Sequence, residues 1–158
     1  MAFFGHLGIE WNLLKEPQSA RDELGVWVDT YKRHRADCAH GTVIHGDEAD
    51  PAVRVDGVVS ASGERAVYRF TQLTTSQTYP AAPVRLLGLD PDSDYLIQPL
   101  ACNIGSGEPF TQIGNGQSEL GWWNSQGVVM NGGALAAFGL RPPCIHPANA
   151  VLFSATRV

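Results

Sequence analysis

The sequence changes its hydrophobic period once, at Gly41, and this change limits the folds that are open to the chain. Before Gly41, apolar residues recur at helical spacing on one face. They are Leu24, Trp27, Val28, Tyr31 and Cys38. After Gly41, apolar and polar residues alternate, as they do in strands with one buried face. The pattern predicts one helix over residues 20–40, capped by Ser19 with Asp22 and ended by Gly41.

The region after Gly41 divides into short alternating runs that are separated by turn residues. The runs cover residues 42–45, 53–59, 65–73, 84–87, 95–100, 128–130 and 151–156. We expect residues 53–59 and 65–73 to form one hairpin, and residues 84–87 and 95–100 to form another. Residues 132–140 predict a helical turn or a loop, and residues 105–121 predict the longest loop. The chain has 17 Gly and 10 Pro and only 17% charged residues, which fits an antiparallel β-sandwich with many tight turns.

The first 13 residues are mostly apolar and predict a buried strand or an extended segment. A buried strand needs a neighbour on each side. No later part of the chain is an obvious partner, so we expect the neighbours to belong to sequence outside these 158 residues. This is the first indication that the chain is part of a larger protein.

Charge and composition exclude several kinds of partner. The formal net charge of -5 argues against a nucleic-acid backbone or an anionic membrane as a partner. The sequence has neither an apolar run of membrane-spanning length nor a secretory signal, so we expect a cytoplasmic protein. The cysteines Cys38, Cys102 and Cys144 have neither zinc-site spacing nor an even count, so we expect free thiols, no metal and no cofactor.

Two features suggest contact with sugars, but the residues alone give no complete catalytic set. Glu10 is a carboxylate in an apolar stretch, and its residue pattern favours a structural salt bridge over catalysis. Glycoside hydrolysis uses a pair of carboxylates, and no second acid has a comparable setting. Trp122 and Trp123 offer rings on which a sugar can stack, although adjacent residues of a strand point to opposite faces.

Several segments resemble the C-terminal end of the α-galactosidases of glycoside hydrolase family 36. The most specific are Phe4-Gly5-His6-Leu7-Gly8-Ile9-Glu10-Trp11 and the helix end Tyr31-Lys32-Arg33-His34-Arg35. Weaker matches are Leu87-Gly88-Leu89-Asp90-Pro91 before Tyr95, Gly132-Gly133 with Leu135, Gly139-Leu140, and His146-Pro147. The resemblance covers nearly the whole chain, and Asn12 replaces the Asp expected after Glu10-Trp11.

The resemblance implies that residues 1–41 are the last strand and helix of a (β/α)8 catalytic barrel, and that residues 42–158 are the C-terminal antiparallel β-sandwich. It implies a retaining enzyme that cleaves terminal α-galactosides such as melibiose and raffinose, without a cofactor. Both catalytic aspartates of that family lie upstream, so no catalytic residue is transferred to this chain. His6 and Glu10 would lie where the end of a barrel strand approaches the sugar pocket.

The sequence therefore leaves three hypotheses. In the first, the chain is the C-terminal part of an α-galactosidase, inactive alone, whose partners are the rest of that enzyme and its subunits in a homo-oligomer. In the second, it is a stand-alone carbohydrate-binding or interaction sandwich that uses Trp122 and Trp123. In the third, it is an independent enzyme that uses Glu10 and an unidentified partner.

Overall fold

The computed structural model describes residues 3–78, 81–100 and 120–158, and these form a mainly β fold with one long helix. A short 3₁₀ turn at Leu13–Lys15 precedes α1 at Gln18–His40. The strands are β1 (Thr42–His45), β2 (Val53–Val59), β3 (Arg65–Gln72), β4 (Asp94–Pro99), β5 (Val128–Asn131) and β6 (Asn149–Arg157), and α2 (Gly132–Ala137) lies between β5 and β6.

The described strands form one antiparallel sheet in the order β1-β2-β3-β6-β4-β5. The last strand in sequence, β6, therefore lies in the interior of the sheet, between β3 and β4. The predicted mainly β, antiparallel fold is confirmed, and so is the hairpin of β2 and β3, whose turn contains Gly63 with a φ of +71°.

The two faces of the sheet bury different sets of side chains because consecutive residues alternate. On one face, Tyr68, Phe70, Ile97 and Phe153 belong to the main hydrophobic core. That core is covered by segments outside the sheet, which contribute Val84, Leu86, Trp122, Trp123, Leu135, Leu140 and Ile145. On the other face, Val67 and Leu152 pack beneath α1 and the residues that precede it.

The predicted hairpin of residues 84–87 and 95–100 is wrong. Val84 forms an isolated bridge with Leu140, and the amide of Leu86 donates to the carbonyl of Leu135 at 3.1 Å. β4 pairs instead with β5 and β6. Contacts distant in sequence determine the structure of this region. The backbone of residues 84–86 bonds to Leu135 and Leu140, and not to the strand β4 that follows it in sequence.

Of the two alternatives predicted for residues 1–13, a buried strand or an extended segment, the buried strand is not found in the described residues. Residues 3–12 contain no strand, and Leu13 begins the 3₁₀ turn. A strand requires a ladder of hydrogen bonds to a neighbour. The strands of the described sheet pair among themselves, so this segment has no ladder.

The ends of α1 also differ in detail from the prediction. The helix begins at Gln18 after an extended Pro17, with no side-chain cap, so the predicted Ser19 cap is wrong. Gly41 does end the helix, but its φ of −81° is not left-handed. A Cβ at Gly41 would collide with the carbonyl oxygens of Val59 and Asp37, so close approach to β2 explains the glycine.

In the part of the chain that the structure describes, no helix is both long and apolar enough to span a bilayer. The free cysteines Cys38 and Cys144 are half-buried. Cys102 and most of the predicted loop over residues 105–121 lie outside the described residues.

Candidate functional site

His6 and Glu10 lie on the segment that precedes α1, and both are exposed. The same segment exposes two large apolar side chains, Ile9 at 43% and Trp11 at 54%. Leu14, in the turn that follows, is 92% exposed. The segment thus presents a carboxylate, an imidazole and a row of apolar side chains to the surroundings.

Trp122 and Trp123 lie in the main core, on the opposite face of the sheet from α1. They are only 7% and 8% exposed, and their ring centroids are 4.9 Å apart in an edge-to-face arrangement. Both rings also pack edge-on against Phe153, and the Trp122 indole donates to the carbonyl of Arg141 at 3.0 Å. The structure therefore brings the two tryptophans together but separates them from His6 and Glu10.

An aromatic cluster joins the start of the described chain to α1. The ring of Phe3 is 3% exposed and meets the rings of Tyr31 and Trp27 edge-on, at centroid distances of 5.8 and 6.5 Å. The Tyr31 hydroxyl donates to the carbonyl of Gly5 at 2.8 Å. These contacts fix the backbone immediately before His6. Trp27 and Tyr31 lie on the predicted apolar face of the helix, but no pattern in the sequence indicates their contact with Phe3.

A row of charged side chains crosses the face of the sheet that lies beneath α1. The register sets His45 opposite Asp56 and Asp56 opposite Arg69, on β1, β2 and β3. Arg69 donates to Asp56 at 2.6 Å, Arg54 donates to it at 2.9 Å, and His45 Nδ1 lies 2.9 Å from it. The side chain of Asp56 is 5% exposed.

The environment of Asp56 keeps it ionised. Burial acts to raise its pKa, but the hydrogen bonds from Arg69, His45 and Arg54 together outweigh burial and lower the pKa to about 2. A carboxylate of this kind is a poor general acid or base at neutral pH, because it gives up its proton far below that range. Asp56 thus ties β1, β2 and β3 together through its three partners on this face of the sheet.

Two concave features lie elsewhere on the surface. A groove of about 730 Å³ runs between α1 and the β4–β6 side of the sheet. Its lining includes Arg33, His34 and Arg65, and burial followed by the charge of Arg33 lowers the pKa of His34. A smaller cavity of about 150 Å³ is lined by residues that include Gln72 and Cys144.

Neither concave feature supplies hydrolytic chemistry. Among the described residues that line them, there is no Asp or Glu. Glycoside hydrolysis needs two carboxyl groups across the scissile bond. Within residues 3–78, 81–100 and 120–158, no three His, Cys, Asp or Glu residues are grouped to hold a metal ion.

Comparison with solved structures shows that the fold is shared. The galactosidase domain of the α-galactosidase–sucrose kinase AgaSK matches with a TM-score of 0.73 and 21% identity, over 99% of this chain and 18% of that one. The family 36 α-galactosidase AgaB from Geobacillus stearothermophilus gives a TM-score of 0.73 at 20% identity, with the same coverage. The α-galactosidase from Lactobacillus brevis gives 0.71 at 23% identity, over 99% of this chain and 19% of that one.

Comparison of sequences gives the family. An α-galactosidase from Escherichia coli is 26% identical over 160 residues, which is 99% of this chain and 22% of that protein. This chain therefore spans about a fifth of the length of the relatives that it matches. The family model for the glycosyl hydrolase family 36 C-terminal domain matches residues 53–154, which is more than half of the chain. By that match, the chain belongs to glycosyl hydrolase family 36 through its C-terminal domain.

Proposed function

We propose that this chain is the C-terminal part of an α-galactosidase and serves it structurally, while the catalytic aspartates are supplied from outside these 158 residues. The family match and the Escherichia coli α-galactosidase support this role, since this chain corresponds to only 22% of that relative. The absence of a carboxylate from the described linings of the groove and the cavity also supports it. The substrates of the whole enzyme would be terminal α-galactosides such as melibiose and raffinose.

The proposal divides the chain into two parts. Residues 1–41 would complete a (β/α)8 barrel, and residues 42–158 would form the C-terminal domain. The end of α1 at His40 supports this boundary, and so does the start of the family match at residue 53. The segment before α1 would become the missing barrel strand once neighbouring strands are present.

The observation that carries the proposal is the row of exposed apolar side chains before α1. Ile9, Trp11 and Leu14 lie within six residues of one another and are 43%, 54% and 92% exposed. Single exposed apolar residues are ordinary, whereas a row of large ones marks a contact surface. The barrel would cover this row and would place His6 and Glu10 near the sugar.

Hydrolysis of an aryl α-galactoside tests the proposal. The purified chain should be inactive alone and should become active when mixed with an upstream family 36 fragment that is itself inactive. Sedimentation of the mixture shows separately whether the two parts bind. Full activity from the 158 residues alone would overturn the proposal, as would a bound mixture that remains inactive.

The whole enzyme would be a cytoplasmic homo-oligomer that binds neither nucleic acid nor membranes. The net charge of -5 supports the lack of an anionic partner. The alternative of a sugar-binding sandwich is not favoured, because both tryptophans are more than nine-tenths buried. Catalysis by Glu10 with a second acid is not favoured either, because Glu10 lies exposed on the segment that precedes α1.

A further inference from the structure

Arg69 connects the charged row of the sheet to the start of the described chain. One terminal nitrogen of its guanidinium donates to Asp56 at 2.6 Å. The central carbon of the same guanidinium lies 5.4 Å from the centroid of the Phe4 ring, within the range of a cation–π contact. The side chain is 23% exposed, so the contact is largely screened from water.

The geometry of Arg69 favours the ring at the expense of a hydrogen bond. Its Nε is buried and has no hydrogen-bond partner in the described structure. A guanidinium usually satisfies such a buried donor. Here the guanidinium contacts the carboxylate of Asp56 and the Phe4 ring, while Nε has no acceptor.

Phe4 is also flanked by anchors from α1. Its neighbour Phe3 is buried against Tyr31 and Trp27, and Tyr31 donates to the carbonyl of Gly5. Residues 3–5 are thus held by the helix on one side and by Arg69 on the other. The exposed part of the segment, with His6 and Glu10, begins at the next residue.

We propose that Arg69 is a positioning residue that, through Phe4, sets the location of the segment bearing His6 and Glu10. This inference rests on the proposed function, because it assigns the C-terminal sheet an effect on the sugar pocket of the assembled enzyme. The effect passes from Asp56 to Arg69, to the Phe4 ring, and then along two peptide units to His6. Arg69 itself touches no substrate.

Arg54 provides a matched control. It donates to the same carboxylate, at 2.9 Å, but it is 56% exposed and lies at the register position opposite Thr71. Replacing Arg54 by Met removes one arginine from Asp56 and leaves the contact between Arg69 and Phe4. Replacing Arg69 by Met also removes one arginine from Asp56, and in addition it removes the contact with Phe4. Arg69→Lys restores a cation of similar reach.

The first measurement is chymotrypsin cleavage of the 158-residue chain, followed by mass spectrometry. Cleavage after Phe4 should rise about tenfold in Arg69→Met relative to cleavage after Phe138, which is 79% exposed and lies outside the apolar row before α1. Arg54→Met should leave this ratio within about twofold of the wild type, and Arg69→Lys should recover most of the protection. Equal ratios in Arg69→Met and Arg54→Met would overturn the proposal.

The second measurement uses the chain assembled with the upstream fragment and an aryl α-galactoside. Arg69→Met should raise KM several-fold, Arg54→Met, which also takes an arginine from Asp56, should leave KM unchanged, and Arg69→Lys should restore KM. If cleavage after Phe4 rises in Arg69→Met but KM does not change, the positioning role of Arg69 is overturned, while the proposed function of the chain stands. An assembly inactive even with the wild-type chain would instead overturn the proposed function, and with it the effect of Arg69 on the sugar.

Discussion

Asp56 has three partners on a sheet face that otherwise buries apolar residues such as Val58 and Val67. Its pKa is lowered from 3.8 to about 2. Because the folded pKa is the lower one, the ionised group stabilises the fold fully above about pH 4, and this stabilisation is lost as the pH falls towards 2. A shift of this size corresponds to about 2 kcal/mol.

Asp56→Asn should therefore lower the free energy of unfolding at pH 7 by about 2 kcal/mol, because Arg69 keeps its burial and loses its counter-charge. Urea unfolding at pH 7 and at pH 3 measures this. The variant should lose less stability than the wild type between the two pH values. Asp92→Asn, in an exposed turn, is the control and should follow the wild type. A variant whose pH dependence matches the wild type contradicts the assignment.

Gly57 lies opposite Tyr68 on the neighbouring strand, and Tyr68 is fully buried and stacked on Phe153. A Cβ at Gly57 would stand 2.5 Å from the Tyr68 ring. Gly57→Ala should therefore lower the free energy of unfolding by about 1–3 kcal/mol, because a methyl group this close to a fully buried ring forces the ring or the strand to shift. Chemical denaturation gives the value.

Gly25 is the matched control for that substitution. It lies within α1, and a Cβ there meets nothing within 4 Å. Gly25→Ala should raise the free energy of unfolding by about 0.5–1 kcal/mol, since alanine favours the helix. If both variants changed stability in the same direction, crowding against Tyr68 would not be the cause at Gly57.

At the scale of elements, α2 is a short helix that depends on the residue before it, Asn131, which is its N-cap. The Asn131 side chain accepts hydrogen bonds from the amides of Gly133 and Ala134, at 3.0 and 3.3 Å. Asn131→Ala should lower the free energy of unfolding by about 1 kcal/mol, because the cap is lost. Asn131→Asp should keep most of the stability of the wild type, because aspartate also caps a helix. Thermal unfolding of the two variants distinguishes loss of the cap from a general effect of the substitution.

The elements that local pattern determines were predictable, and those that distant contacts determine were not. The helix, the β2–β3 hairpin and the edge strands β1 and β5 follow from hydrophobic period and turn residues. Residues 84–87 also alternate, yet their hydrogen bonds go to Leu135 and Leu140, which no local signal reveals. A strand cannot be distinguished from an extended segment until its neighbours are known. This explains why the sequence pattern of residues 1–13 left both alternatives open.

The candidate site divides in the same way. Once β2 and β3 pair around the turn at Gly63, the approach of Asp56 and Arg69 follows from the register. The contact between Arg69 and Phe4 depends on how the first residues cross α1, which is a tertiary property. The burial of both Trp122 and Trp123 could likewise not be predicted from the sequence. The rule that adjacent residues point to opposite faces holds for a strand, and these two residues lie in a turn.

At the scale of the whole molecule, the apolar row of Ile9, Trp11 and Leu14 should make the isolated chain self-associate. The double variant Trp11→Ser with Leu14→Ser should lower the sedimentation-derived association constant at least tenfold without changing the thermal midpoint. Phe138→Ser is the control, because Phe138 is 79% exposed but lies at the end of α2. An equal decrease with the control would mean that the row is not the contact surface.

The interior position of β6 has a consequence for synthesis on the ribosome. In the sheet formed by the described residues, β3 and β4 meet only through β6, which comprises residues 149–157. Until those residues leave the exit tunnel, the nascent chain holds two separate half-sheets with open edges, and such edges are prone to wrong pairing. The sheet can therefore close only after residues 149–157 have been synthesised, and deletion of β6 would leave two unjoined pieces in place of a shortened domain.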